Sequence, residues 1–65
     1  MSEIPKRLQD EFMGWMDAGN DVAEDMPDGA WFSILENFAT EFCKKHKLKL
    51  DENDMVHWWL EHRGQ

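Results

Sequence analysis

The sequence predicts an all-α fold, a compact three-helix domain that associates with a second copy as a helical homodimer. Apolar residues recur at helical spacing over about 4–18, 29–45 and 52–63. No segment alternates apolar and polar residues for the length of a strand. With 65 residues, the chain has the length of a single domain (1–65). Domains of this size often gain stability by oligomerisation.

The first predicted helix carries one apolar stripe and is followed by an acidic connector at 19–28. Pro5 stands near its start, where a missing backbone N–H is tolerated. Gly19 and Asn20 predict its end, because both residues adopt the left-handed backbone conformation that is common at helix ends. The stripe consists of Ile4, Leu8, Phe12, Trp15 and Met16.

The second predicted helix, which Asp28 is positioned to cap, has an apolar arc that is too wide for one buried face. About half of its circumference is apolar, so the helix must contact neighbours on two sides. Either the other two helices of the chain or a second copy supplies the second contact. The main stripe is Trp31, Ile34, Leu35, Phe38 and Phe42, and the second edge is Phe32, Ala39 and Cys43 with Leu35 shared.

The third predicted helix, which Asp51 is positioned to cap, contains two adjacent tryptophans that cannot share one core, because neighbouring helix positions point about 100° apart. Trp59 shares a face with Val56 and Leu60 and is predicted to enter the core. Trp58 lies beside His62 and is predicted either at the core margin or in an interface. The predicted self-association surface comprises Phe32, Leu35, Ala39, Cys43, Trp58 and His62.

The net charge of −7 is unevenly distributed along the chain. The connector at 19–28 contains acids and no base, which favours either a solvated loop or a surface that imitates nucleic-acid phosphates. Lysines at the end of the second helix and in a basic connector at 46–51 favour either compensation of the helix dipole or a patch that faces a partner. Direct binding of nucleic acid is not expected, because it requires a basic face. The candidate charged partner surface comprises Asp21, Glu24, Asp25, Lys44, Lys45 and Lys47.

The sequence predicts no catalytic residues, no cofactor site and no metal site, so we expect a protein that is not an enzyme. The three histidines do not form the i, i+4 pair of a helical metal site. Cys43 is the only cysteine, which excludes an intrachain disulfide and favours the reducing cytoplasm. No apolar run is long enough to span a membrane, so no membrane partner is expected.

Two blocks of sequence together resemble a known class of small proteins. The blocks are "IPKRLQDEFMGWM" and "MPDGAWFSILENFATEFCKKHKLKLDENDMVHWWLEHR", which cover nearly the whole chain. They resemble the small helical accessory proteins encoded in the early regions of temperate lambda-like phages and prophages. The resemblance implies a dimeric, all-helical protein of the bacterial cytoplasm that acts through protein contacts. It carries over no site residues.

Two functional hypotheses follow from these features. The favoured hypothesis is a non-enzymatic phage or prophage accessory protein that contacts itself and a host protein, and so modulates host regulation or phage development. The alternative is an acidic inhibitor that occupies the nucleic-acid-binding site of a host enzyme, and the net charge of −7 and the acidic run from Asp17 to Asp28 motivate it.

Overall fold

The computed structural model describes residues 4–26 and 28–63, and this part of the chain forms three α-helices. Helix α1 spans Lys6–Glu24, α2 spans Trp31–His46 and α3 spans Glu52–His62. A short 3-10 turn, Asp28–Ala30, precedes α2. The described residues contain no strand, and the predicted all-α three-helix fold is confirmed.

Helix α1 is longer than the sequence predicts, and the acidic connector is correspondingly shorter. Gly19 and Asn20 do not end the helix, which continues to Glu24. Gly19 is buried against the ring of Phe38, and the buried Asn20 side chain accepts a hydrogen bond from the Trp31 indole N–H at 2.9 Å. These tertiary contacts outweigh the weak helix propensity of glycine and asparagine. The prediction of a connector over 19–28 is therefore wrong for 19–24.

The boundaries of the other helices follow local signals. Asp51 caps α3, as predicted, because its side chain accepts a hydrogen bond from the Asn53 N–H at 2.8 Å. Lys47 caps the carboxyl end of α2 with a φ of 57°, which is in the left-handed region, and the Leu48 N–H then donates to the Cys43 carbonyl at 2.8 Å. At its start α2 follows the 3-10 turn with no side-chain cap, and the predicted capping side chain of Asp28 lies outside the described residues.

Helix α2 runs antiparallel to both of its neighbours. The early part of α1 meets the end of α2 where Glu11 contacts His46, and the end of α1 meets the start of α2 at the Asn20–Trp31 hydrogen bond. Helix α3 runs back along α2, since Asn53 contacts Glu36 and a later residue of α3, His57, packs against Phe32. Side chains from all three helices and from the segment before α1 fill one core: Ile4, Leu8, Phe12, Met16, Leu35, Ala39, Phe42, Cys43, Met55, Val56 and Trp59.

The folded chain exposes a surface area typical of a monomer. Its accessible surface is 4516 Å², against about 4,400 Å² expected for a folded monomer of 7.8 kDa. One copy therefore buries its own core without a partner. Among the described residues, none of the helices combines the length and the apolar character needed to cross a bilayer.

Candidate functional site

The second apolar edge of α2 that the sequence assigns to self-association is mostly core. Leu35 and Ala39 are 0% exposed and Cys43 is 8% exposed in the single chain. The Cys43 thiol lies 3.0 Å from the Met55 sulfur, because α3 covers this side of α2. The prediction that these three residues form an interface is therefore wrong. Burial raises the pKa of the Cys43 thiol, which disfavours the thiolate, and the side chain packs in the core.

Phe32, Trp58 and His62 keep part of their surface open to solvent. Trp58 packs on Phe12 with ring centroids 5.8 Å apart and stacks on His62 at 4.1 Å. The His62 Nδ1 donates to the Trp58 carbonyl at 2.7 Å, which holds the stacked pair. Phe32 lies next to His57, with ring centroids 5.9 Å apart. The structure thus places Trp58 at the core margin, and an interface over it stays a prediction.

Trp59, the neighbour of Trp58, occupies the core as predicted. It is fully buried, and its indole N–H donates to the Asp17 carboxylate at 3.2 Å. The Arg63 guanidinium lies 4.4 Å from the centre of its ring. The two adjacent tryptophans therefore have different roles, one inside the domain and one at its surface.

A groove that the sequence did not reveal lies between α1 and α2. Phe38 and Ile34, which the sequence assigns to the main buried stripe, are only half-buried. The Trp15 indole N–H donates to the Phe38 carbonyl at 2.8 Å, and the two rings pack edge to face at 6.2 Å. A surface cavity of about 340 Å³ opens here, lined by Trp15, Asn37, Phe38 and Glu41. The wide apolar arc of α2 indicated that part of it stays exposed. The sequence assigned the exposed part to the edge with Ala39 and Cys43, whereas the structure leaves the edge with Ile34 and Phe38 half-buried.

A charged cluster closes one end of this groove. The Glu11 carboxylate lies 2.7 Å from His46 Nε2 and 3.6 Å from Lys45 Nζ, and these contacts join α1 to α2. The hydrogen bond from His46, with a smaller contribution from Lys45, lowers the pKa of Glu11. Lys45 also lies 5.1 Å from the centre of the Trp15 ring. Through these intrachain contacts Lys45 joins the end of α2 to α1.

The other residues of the candidate charged surface occupy two separate places. Lys44 makes one loose contact with Glu41 at 4.0 Å, and Lys47 ends α2. Asp21 and Glu24 lie on α1, and Asp25 caps its carboxyl end. Helical spacing places four exposed acids on one side of α1, of which Asp17 also accepts the hydrogen bond from the Trp59 indole: Asp10, Asp17, Asp21 and Glu24.

The described residues contain no group of three histidine, cysteine or acidic side chains that could hold a metal ion. Comparison of the chain with protein-family models, curated proteins and solved structures gave no match. The candidate site is therefore defined by its geometry: partly exposed aromatic rings around α2, with charged residues at their edges.

Proposed function

We propose that this chain is a non-enzymatic protein-binding domain. The observation that carries the proposal is the placement of its tryptophans: three of the four are only half-buried, although the domain has a complete core. Tryptophan is enriched among the residues that dominate the energy of protein interfaces. Partly exposed tryptophans around a closed core supply suitable anchors for a partner.

These tryptophans are also held in fixed orientations. Trp15 and Trp31 donate hydrogen bonds to Phe38 and Asn20, and Trp58 stacks on His62. A side chain that is already ordered loses little conformational entropy on binding, so more of its contact energy contributes to affinity. The fixed rings therefore favour recognition of a protein surface.

The sequence resemblance suggests the biological setting. We propose a phage or prophage accessory protein that acts in the bacterial cytoplasm by contacting a host protein. Self-association through Phe32 and Trp58 is part of the same proposal. Because one copy buries its own core, such a dimer forms between domains that are already folded.

Site-specific photo-crosslinking in bacterial cells tests this function. A benzoylphenylalanine is placed at one of three exposed positions beside the aromatic rings, Asn37, His57 or Glu61, and at Asp10, an exposed position on α1, as the control. We expect discrete protein adducts from at least one of the first three positions and none from Asp10. Absence of adducts from all four positions would overturn the protein-binding function.

A second candidate function is the acidic inhibitor of a nucleic-acid-binding protein. Its support is the extension of α1 to Glu24, which aligns four exposed acids from Asp10 to Glu24 over about 21 Å of helix. A basic cleft that binds nucleic acid attracts such a surface. This function predicts adducts from Asp10, and loss of partner binding when Asp21, Glu24 and Asp25 are replaced by lysine. Unchanged binding by a folded triple variant excludes it.

A further inference from the structure

We propose that the groove between α1 and α2 binds a basic amphipathic helix of a partner protein. The proposal rests on the protein-binding function and adds the position of the site and the chemistry of the partner. The groove begins at the cavity beside Trp15 and Phe38, and helical spacing places the partly or fully exposed Ala18, Val22 and Ile34 on the edges of α1 and α2 that continue from it.

The shape of the groove matches a helix. Trp15, Ala18 and Val22 follow i, i+3 and i+7 spacing and form one edge of α1. Ile34 and Phe38 form the facing edge of α2, and Phe38 reaches across to Gly19. Two antiparallel helices with a shallow apolar seam accept a third helix through anchors at i, i+3 or i+4 and i+7.

The cavity at one end of the groove suits a single large side chain. Its volume of about 340 Å³ lies near the lower limit of roughly 300 Å³ for small-molecule pockets. Trp15 lines one side, while Asn37, Phe38 and Glu41 of a single helix line the other, so the cavity is open to solvent. A small molecule would stay largely exposed here, whereas one apolar anchor of a docked helix fills it.

Unburied apolar surface continues along the groove. Val22 is 45% exposed, Ala18 is exposed, and Ile34 is only half-buried. The segment from Trp15 to Val22 is about 10 Å long, or two helical turns. A partner helix therefore places two or three consecutive anchors in the groove.

The charges beside the groove define the partner as basic. Asp21 lies one helical turn after Ala18 on α1 and is exposed, and the exposed Glu41 lines the cavity on α2, so each edge of the groove carries one exposed acid. The Glu41 side chain is 64% exposed and has only a 4.0 Å contact with Lys44. Lys45, at the end of the groove, is already in contact with Glu11 and Trp15. Lysine or arginine residues on both sides of an apolar stripe complement these rims.

A second copy of the chain does not supply such a helix. Helices α1 and α3 each contain more acidic than basic residues, and α2 contains two of each. The like charges of two copies oppose docking of one copy's helix between Asp21 and Glu41. The occupant is therefore a helix from a different protein.

A nuclear magnetic resonance titration of the full chain tests the proposal. The probe is a synthetic 15-residue peptide, about four helical turns, with leucines at i, i+4, i+7 and i+11 and lysines on both flanks. A matched peptide carries glutamate in place of every lysine. We expect the lysine peptide to shift the Trp15 indole N–H and the amide signals of Ala18, Val22 and Phe38. The glutamate peptide should bind at least tenfold more weakly.

Two variants with the same change in charge separate the groove from general attraction to an acidic protein. Glu41→Lys lies on the rim. Asp10→Lys lies more than one helical turn before Trp15 and about 140° around α1 from it, and both side chains are exposed. We expect Glu41→Lys to weaken binding of the lysine peptide about tenfold and Asp10→Lys less than twofold. Equal weakening by the two variants, or equal binding of the two peptides, overturns the proposal.

The remaining outcomes distinguish this site from the wider function. Shifts confined to Phe32 or Trp58, or no binding of the lysine peptide, overturn the groove as the site. The protein-binding function still stands in those cases if crosslinked adducts form at His57 or Glu61, and it fails if no position gives an adduct. A dimer that Glu41→Lys dissociates would show that a second copy occupies the groove, which also overturns the proposal.

Discussion

The Trp15 indole on α1 donates a hydrogen bond to the Phe38 carbonyl on α2, with 2.8 Å between nitrogen and oxygen. The bond joins the two helices beside the cavity that Trp15 and Phe38 line, and it leaves part of each ring at the surface. One contact thus stabilises the fold and orients the side chains that we propose for binding. Stability and recognition depend on the same pair of residues.

Replacement of Trp15 by phenylalanine should lower the free energy of unfolding by about 1 kcal/mol beyond the cost of the smaller ring. The indole N–H is lost and the Phe38 carbonyl loses a donor, while an aromatic ring remains. Urea denaturation measures the change. Trp58→Phe is the control. It makes the same reduction in ring size, and among the described residues the Trp58 indole N–H donates no hydrogen bond. Equal losses in the two variants would show that the hydrogen bond contributes nothing.

Two glycines of α1 should respond to alanine in opposite directions. At Gly19 an added Cβ would lie 2.8 Å from the ring of Phe38, so Gly19→Ala should destabilise the fold by about 1–3 kcal/mol. At Gly14 nothing lies within 4 Å, so Gly14→Ala should stabilise it by up to about 1 kcal/mol. Thermal unfolding of both variants tests the pair. A stable Gly19→Ala variant would mean that α1 and α2 are farther apart at this point.

The contacts of Glu11 should make stability depend on pH. Its pKa in the folded chain is lowered from 4.5, chiefly by the hydrogen bond with His46, so its contribution is present above pH 4.5 and is lost as pH falls through the folded-state pKa. Glu11→Gln should therefore be less stable than the parent at about pH 6 and equal to it at about pH 2. Urea unfolding at both values measures the difference. A Glu11→Gln variant as stable as the parent at both values would show that the contact with His46 contributes nothing to stability.

Cys43 should react slowly with alkylating reagents while the chain is folded. The thiol is buried against Met55, and burial raises its pKa, so both access and the thiolate fraction are low. Iodoacetamide labelling at about pH 8, with and without denaturing urea, measures the protection. Labelling at the same rate in both conditions would place Cys43 at the surface, where the sequence predicted it.

Light scattering over a concentration series tests self-association. We expect a mass of twice 7.8 kDa at high concentration. Phe32→Glu should give a folded monomer, because Phe32 is half-buried beside His57 and is not part of the closed core. A parent chain that stays monomeric contradicts the homodimer. Unfolding of Phe32→Glu would show instead that the α2–α3 contact requires this ring.

The helical pattern predicted which segments are helical but not where each one ends. Gly19 and Asn20 are ordinary signals for a helix end, and nothing near them in the sequence shows that Phe38 and Trp31 stabilise them inside α1. The Asp51 cap and the basic end of α2 depend on adjacent residues, and both were predicted correctly. Local signals were reliable only where no distant side chain intervened.

The sequence by itself determined the three-helix fold, the burial of Trp59 and the surplus of apolar surface on α2, because periodicity shows which residues share a side of a helix. Only the tertiary structure decided which part of that surface stays open. Helix α3 covers Leu35, Ala39 and Cys43, and the packing of α1 leaves Phe38 half-exposed beside Trp15. The physical reason is that the rotation of a helix against its neighbours depends on the packing of side chains from distant parts of the chain.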